Sequence, residues 1–284
     1  MRIAHLSDVH VLDLQGVRWT RFLNKRVTGL ANLRTGRKDA HPQRLLEAAV
    51  AELVADRSID HVVITGDLTN LSMESEFARA KAILTPLAGR LSVIPGNHDV
   101  YTRGAEKARR FEQYFGEWMW PAASSADQAY PWLKQLDEVA LLGFSSAVAR
   151  LPFIATGHVS RTQLERLEQL HREGALDNRM VVALVHHNLH PRGLRKDKMR
   201  GLDNRAVFLA GLAKAGVKLL LHGHTHVAHR YEHSGISIIG SGSSTWASTH
   251  PEHLGRYNVY DLGREGLRSV EVRRWHEPEA RFSA

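Results

Sequence analysis

The chain has 284 residues, 43% hydrophobic and 24% charged, with a net charge of +8. This is the composition of a folded globular chain and excludes a disordered or collagen-like one, while its apolar runs stop far short of the ~20 residues that span a bilayer. It contains no cysteine, which excludes disulfides and thiolate metal sites and leaves oxygen and imidazole nitrogen as the only strong metal donors.

Arg2–Ser7 reads as a short strand running into Asp8-Val9-His10. A strand at this point leaves no signal peptide to expect. Residues 11–41 form an irregular basic stretch with seven Lys/Arg against two Asp. Pro42–Asp56 reads as a helix, with Leu45, Leu46, Ala49, Val50 and Leu53 at helical spacing. Asp60–Thr65 is a buried strand ending at Gly66-Asp67. Ser72–Leu87 is the next helix, with Ser72 as its cap and Glu74 and Glu76 in the first turn. Leu91–Ile94 is a strand, and Pro95 leads into the turn Gly96-Asn97-His98-Asp99.

Residues 102–137 carry a helix and then a looser, Trp-rich part. Glu138–Phe144 is a strand and Ser160–Glu173 a helix capped by Ser160. Met180–Val185 is a strand meeting His186-His187. Asp203–Ala215 is a helix, and Lys218–Leu221 a strand before Gly223-His224-Thr225-His226. From roughly 227 to 275, strands alternate with glycine turns around Tyr231, Ile236–Ile239, Tyr257–Tyr260 and Leu267–Val272. The alternation predicts one α/β or α+β domain over 1–284, with helices outside and sheet inside. Every motif follows the C-terminal end of a strand, where such folds gather loops over the sheet edge.

Each motif is weak alone. Asp8 and His10 could be a turn residue and a surface histidine, and Gly-Asp commonly closes a strand. Gly-Asn-His-Asp says more, because no bulky apolar side chain interrupts a tight loop after a buried strand. In Gly-His-Thr-His, alternate histidines at a strand end point the same way. Together Asp8, His10, Asp67, Asn97, His186, His224 and His226 give an oxygen and nitrogen donor set suited to Mn, Fe or Zn. It is large enough for two adjacent ions, with Asp67 central as a bridging carboxylate. Paired metals chiefly serve phosphate-ester hydrolysis.

From residue 8 to residue 226, this order of motifs resembles the calcineurin-like metallophosphoesterases. The resemblance implies a four-layer αββα sandwich of two mixed sheets flanked by helices. It implies two divalent ions, Mn2+ first and Fe or Zn as alternatives. Asp8, His10, Asp67 and His226 would hold one; Asp67, Asn97, His186 and His224 would hold the other. His98 is then a catalytic residue facing the substrate phosphate, with Asp99 orienting it. The family pattern makes His186 the ligand and leaves His187 structural or substrate-facing; His222 is either second to the ligands or core. The reaction implied is in-line attack on phosphorus by a hydroxide held between the metals, with His98 stabilising or protonating the departing oxygen.

Substrate choice falls to three stretches read as cap-like insertions, at about 11–41, 112–137 with Trp118-Met119-Trp120, and 188–205. Each is either ordinary surface or side core, or part of a cap. A cap would bind an anionic substrate with a greasy portion, or dock at an anionic membrane. The Gly-Asn-His-Asp form resembles the class III cyclic-nucleotide and glycerophosphodiester phosphodiesterases. A cap would fit the UDP-2,3-diacylglucosamine pyrophosphatases of lipid A synthesis, some of which carry Arg where this chain has His98. A non-catalytic scaffold is the alternative of another class. Nucleic acid ranks lower, since no nucleic-acid-binding module is visible. The expected location is the cytoplasm, with peripheral contact at the inner membrane surface under the cap reading. Oligomeric state stays open.

Overall fold

The computed structural model describes all residues except 33–39, 121–128 and 249. Six strands form one sheet: β1 (Arg2–Leu6), β2 (His61–Ile64), β3 (Leu91–Val93), β10 (Arg256–Gly263), β11 (Gly266–His276) and β12 (Arg281–Ser283), in the order β12-β11-β10-β1-β2-β3. Six more form the second: β4 (Trp132–Leu136), β5 (Val139–Gly143), β6 (Met180–Leu184), β7 (Val217–His222), β8 (Ala228–His233) and β9 (Ile236–Ser241), in the order β4-β5-β6-β7-β9-β8. β1, β2 and β3 run parallel, as do β5, β6, β7 and β9. The remaining pairings, β1 with β10, β10 with β11, β11 with β12, β4 with β5 and β8 with β9, are antiparallel, so both sheets are mixed.

Continuous apolar runs such as His61-Val62-Val63-Ile64 suit parallel strands covered on both faces. Alternation then sorts the faces. Val139, Leu141, Val182 and Leu184 join the core shared by the two sheets. Their neighbours Ala140, Leu142, Val181 and Ala183 pack instead with Leu167 of α6 (Arg161–Arg172) and Phe208 and Leu212 of α8 (Arg205–Lys214). On the other side, α2 (Gln43–Ala55) and α3 (Glu74–Leu84) bury Leu46, Leu53, Phe77 and Leu84 against the first sheet's core. Helix, sheet, sheet and helix therefore stack as the expected αββα sandwich, and the parallel strands of both sheets aim their C-terminal ends at one edge.

One local reading is corrected, and one left open is decided. Ser72 does not cap α3. Met73 is the N-cap, and Glu76 accepts the N–H groups of Met73 (3.0 Å) and Leu71 (2.8 Å). Ser72 is left-handed (φ 56°) and donates its hydroxyl to the Asp99 carbonyl. Trp118, Met119 and Trp120 are core, not cap: all three are buried in the main cluster, with Trp118 stacked on Phe115 at 5.2 Å. Residues 121–128 of that insertion lie outside the described residues.

Burial pushes the Glu76 carboxyl up to about 8, against its two backbone donors and Arg26. An acid raised on folding holds more protons folded than unfolded. Its stabilising share is whole below the usual 4.5 and is lost as pH rises toward 8. Glu76→Gln should therefore flatten the stability–pH curve over that window. Near pH 9 it should exceed the wild type by on the order of 3 kcal/mol. Urea titrations from about pH 5 to pH 9 check this; parallel curves for the two proteins would show that Glu76 stays ionised when buried.

Candidate metal centre

The loops after β1 and β2 are zipped together by backbone bonds. Asp8 N–H donates to Gly66 O at 3.1 Å, His10 N–H to Asp67 O at 2.9 Å, and Val11 N–H to Leu68 O at 2.9 Å. The loop after β3 joins them through His98 N–H on Asp67 Oδ1, at 2.8 Å. The second sheet contributes Gly223 N–H on His186 O (3.1 Å) and His224 N–H on the Asp8 carboxylate (3.0 Å). Only glycine permits these approaches. A Cβ on Gly96 would lie 2.1 Å from Asp67 Oδ1, and one on Gly223 would lie 1.9 Å from Ser7 Oγ.

All seven candidate ligands meet at this edge, in two adjoining groups. His226 Nε2 lies 3.3 Å from Asp8 Oδ1 and 3.0 Å from His10 Nε2, and His10 Nε2 lies 3.8 Å from Asp67 Oδ2. In the second group His186 Nε2 is 3.3 Å from Asp67 Oδ2 and 3.2 Å from Asn97 Oδ1. His224 can place a ring nitrogen within 4.8 Å of the donor atoms of Asp67 and His186. Asp67 belongs to both groups. Asp8, His10, Asp67, His224 and His226 are all left-handed, with φ between 47° and 71°. That conformation costs energy in any residue with a Cβ.

The donors fit divalent cations. His186 Nδ1 lies 2.7 Å from the Thr65 carbonyl, so Nδ1 carries a proton and donates, and Nε2 is turned to Asp67 and Asn97. Metal-binding histidines are oriented in this way. His224 Nε2 is buried with no hydrogen-bond partner, although such atoms rarely go unpaired. Burial holds His10 and His224 well below the ordinary imidazole value, with neighbouring imidazoles adding to it. Both are therefore neutral, the form that ligates. Burial opposes a charge on His186, but the Asp67 carboxylate overrides it and raises that imidazole to about 9. Burial also opposes the Asp67 charge; His186, His98 and His10 outweigh it and hold the carboxyl well below its usual range. Without a cation, the pair keeps a proton where a cation would replace it.

His98 adjoins the first group: its ring lies 4.7 Å from that of His10, and it can bring a ring nitrogen within 4.8 Å of donor atoms of His10 and Asp67. Its Nδ1 is 2.7 Å from the Asn70 carbonyl and so donates to it, leaving Nε2 for the cleft. The carbonyl of Asn70 thus does the orienting expected of Asp99. The Asp99 carboxylate is engaged elsewhere, accepting the N–H groups of Gly96 (2.9 Å), Thr69 (2.8 Å) and Leu68 (3.2 Å) and the Thr69 hydroxyl (2.9 Å). Burial and the nearby Asp67 charge raise its carboxyl to about 7, against those backbone donors. Asp99 is a buried tie between the loops after β2 and β3, and it acts on His98 only through the backbone.

His187 turns to Ser146 Oγ (2.8 Å) and packs on Gly157, where a Cβ would lie 2.3 Å from its Nδ1. Its Nε2 is buried with no hydrogen-bond partner among the described residues, and its ring lies 4.6 Å from that of His224. His222 bonds the Gly223 carbonyl (3.0 Å) and packs on Gly240, in the core behind the ligand loop. One residue escaped the motif reading. His41 lies 4.5 Å, ring to ring, from His10 and 5.4 Å from His226, and His10, His41 and His226 can bring ring nitrogens within 4.8 Å of one another. It precedes Pro42 and follows no strand, so nothing in the pattern marks it. The loop after β9 was missed as well: Ser243 and Thr245 donate their hydroxyls to the carbonyls of Asp8 (2.8 Å) and Val9 (2.9 Å).

A cleft of about 260 Å³ opens over Asp67, Asn97, His98, His224 and His226. Lys25, Arg192 and Arg200 line it, together with Tyr101, Phe153 and Trp246. Two of the basic insertions thus reach the site.

Comparison with known proteins agrees with this architecture. Over 213 residues the chain is 24% identical to a protein of Vesicomyosocius okutanii named probable cyclic nucleotide phosphodiesterase, covering 73% of this chain and 80% of that one. Over 100 residues it is 31% identical to the glycerophosphodiester phosphodiesterase GpdQ of Enterobacter lignolyticus, covering 35% of this chain and 30% of that one. Its fold matches that of a dimetal phosphatase from Danio rerio with a TM-score of 0.61 at 16% identity, over 96% of this chain and 98% of that one. The profile of the calcineurin-like phosphoesterases matches residues 1–228. With its strand-end motifs gathered at one edge of an αββα sandwich, the chain belongs to the calcineurin-like phosphoesterase family and is a metal-dependent phosphoric ester hydrolase.

Proposed function

We propose that the protein is a dinuclear phosphodiesterase acting on a phosphodiester of the cyclic-nucleotide or glycerophosphodiester type. The observation that carries this reading is the pair of donor groups sharing Asp67, with His98 against the first of them and its Nδ1 already engaged by the Asn70 carbonyl. Asp8, His10, Asp67 and His226 would hold one divalent ion, and Asp67, Asn97, His186 and His224 the other, with Mn2+ the first choice and Fe or Zn the alternatives. Such a pair supplies an acidified water as nucleophile and neutralises charge on the phosphate.

The chain's own residues do the rest. Asp67, held by His98 N–H, fixes the spacing of the two groups. With Nδ1–H held by the Asn70 carbonyl, His98 would need a second proton, on Nε2, and would donate that proton or a hydrogen bond from it to the leaving oxygen. Lys25, Arg192 and Arg200 draw the anionic substrate into the cleft. A scaffold that only binds partners gains nothing from this arrangement.

A substrate panel tests the reading: bis-p-nitrophenyl phosphate, p-nitrophenyl phosphate, 3′,5′-cyclic AMP, glycerophosphocholine and UDP-diacylglucosamine, each with added Mn2+. Diester turnover above that of the monoester is expected. Faster monoester hydrolysis would overturn the diester assignment. A metal-loaded protein inert on every compound would restore the scaffold. The names of the two relatives above support the cyclic-nucleotide and glycerophosphodiester arms.

A further inference from the structure

Among the described residues, eight large apolar side chains are exposed. All but Val207 lie in three short segments, 19–27, 151–153 and 194–199, and the most exposed are Trp19 (73%), Phe153 (74%) and Leu194 (84%). An isolated exposed leucine needs no explanation, but a cluster does. These segments are the two lips of the cleft. On one side, a short 3-10 turn (Trp19–Phe22) and α1 (Arg26–Asn32) flank Lys25, whose ammonium sits 4.6 Å over the Tyr101 ring. Tyr101 lies 5.5 Å from the His98 ring. On the other side, Phe153 and Ile154 line the cleft, and Ala155 N–H bonds the Met199 carbonyl at 2.8 Å. That bond joins the second segment to α7 (Leu194–Arg200).

The same lips are basic. Arg18, Lys25, Arg192, Lys196, Lys198 and Arg200 have no carboxylate partner among the described residues. The acids nearby are already taken: Glu74 pairs with Arg110 at 2.6 Å, Asp203 with Arg150 at 3.1 Å, and Asp197 with Arg205 at 3.1 Å. Apolar tips interleaved with cations that lack carboxylate partners, on and beside short helical segments, match one surface chemistry, that of an anionic bilayer. Trp and Leu enter the acyl boundary while Lys and Arg meet the headgroups. Nucleic acid would engage the cations but leave Leu23, Val27 and Leu194 in water. Among the described residues, no helix is long and apolar enough to cross a membrane.

We infer that the two lips of the cleft form a docking surface for an anionic lipid bilayer, which presents the phosphodiester from the membrane. The docking stands on the lips alone; the identity of the substrate as a lipid phosphodiester rests on the phosphodiesterase reading.

The test is sedimentation of the full chain with vesicles of phosphatidylcholine, pure or mixed with phosphatidylglycerol. Bis-p-nitrophenyl phosphate turnover is measured in parallel. Binding is expected to the mixed vesicles and not to the pure ones, and it should weaken as salt rises. The combined variant Trp19→Ser, Leu23→Ser and Leu194→Ser removes side chains that do not line the cleft. It should bind the mixed vesicles about tenfold or more weakly, because docking scales with buried apolar area, while hydrolysing the soluble diester as the wild type does. Equal binding of variant and wild type would overturn the proposal, as would no binding to anionic vesicles at low salt. Capture of a single-stranded RNA oligomer in preference to vesicles would overturn it too. Vesicle binding with no diester hydrolysis would sink the phosphodiesterase reading and leave the docking surface standing.

Discussion

In Asp67→Ala, metal content and turnover are expected to fall together. Asp67 is the one side chain common to both donor groups, with Oδ2 facing His186 at 3.3 Å and His10 at 3.8 Å. Its other oxygen accepts His98 N–H and so anchors the loop that carries Asn97. Losing an outer partner of a metal ligand costs about 10–100-fold in affinity or activity. Losing a shared ligand should exceed ~100-fold, because both ions and one loop go with it. Metal analysis of purified protein and diester turnover in excess Mn2+ measure the two effects separately. A variant that stays inactive but binds two ions would remove Asp67 from the bridge. Asp67→Asn sharpens the point, because it keeps the shape and the loop bond but not the charge that attracts two cations.

His98→Ala separates chemistry from metal binding. It should keep its full metal content and lose about two orders of magnitude or more in rate on a substrate with a poor, alkoxide-like leaving group. On bis-p-nitrophenyl phosphate, whose leaving group departs without a proton, the loss should be much smaller. The contrast between the two substrates is the readout. Equal losses on both would mean that His98 positions the phosphate and hands over no proton, and full activity on the poor leaving group would remove it from catalysis. Asp99→Asn makes the companion case. Because Asp99 ties loops and does not touch the His98 ring, its effect should appear first in stability and without that leaving-group contrast.

The layered fold was legible because its strands are written as uninterrupted apolar runs, His61–Ile64 and Met180–Leu184 among them, each ending at a motif. The seven donors were legible for the same reason, since position after a strand fixes which edge a residue reaches. What escaped depended on contacts far apart in the chain. Ser72 has the residue type and spacing of a cap, but the Asp99 carbonyl claims its hydroxyl from 27 positions away. Asp99 adjoins His98 in sequence, yet consecutive residues of a tight turn point apart, and its carboxylate goes to backbone donors. His41 carries no local pattern, and the contacts that bring it to the site come from far along the chain, Thr245 of the loop after β9 at 2.9 Å among them. β4 and β12 lie in stretches whose composition resembles loop, and they exist through pairing with β5 and β11. Trp118 and Trp120 are large apolar residues in an irregular segment, a description that fits core and cap equally until the packing is seen.

The left-handed backbone at Asp8, His10, Asp67, His224 and His226 bears on how such a chain can change over generations. At roughly 1 kcal/mol or more each, five such residues burden a fold whose whole margin is about 5–15 kcal/mol. Glycine would relieve much of that burden, even after its own loss of chain freedom. A lineage that needed only the shape of this domain would gain robustness with each ligand it discarded, and drift would run toward glycine at all five places. A chain that still carries every one of them has had to offset that burden elsewhere in the fold. The offset has a use only while the ions, and the reaction they support, are needed.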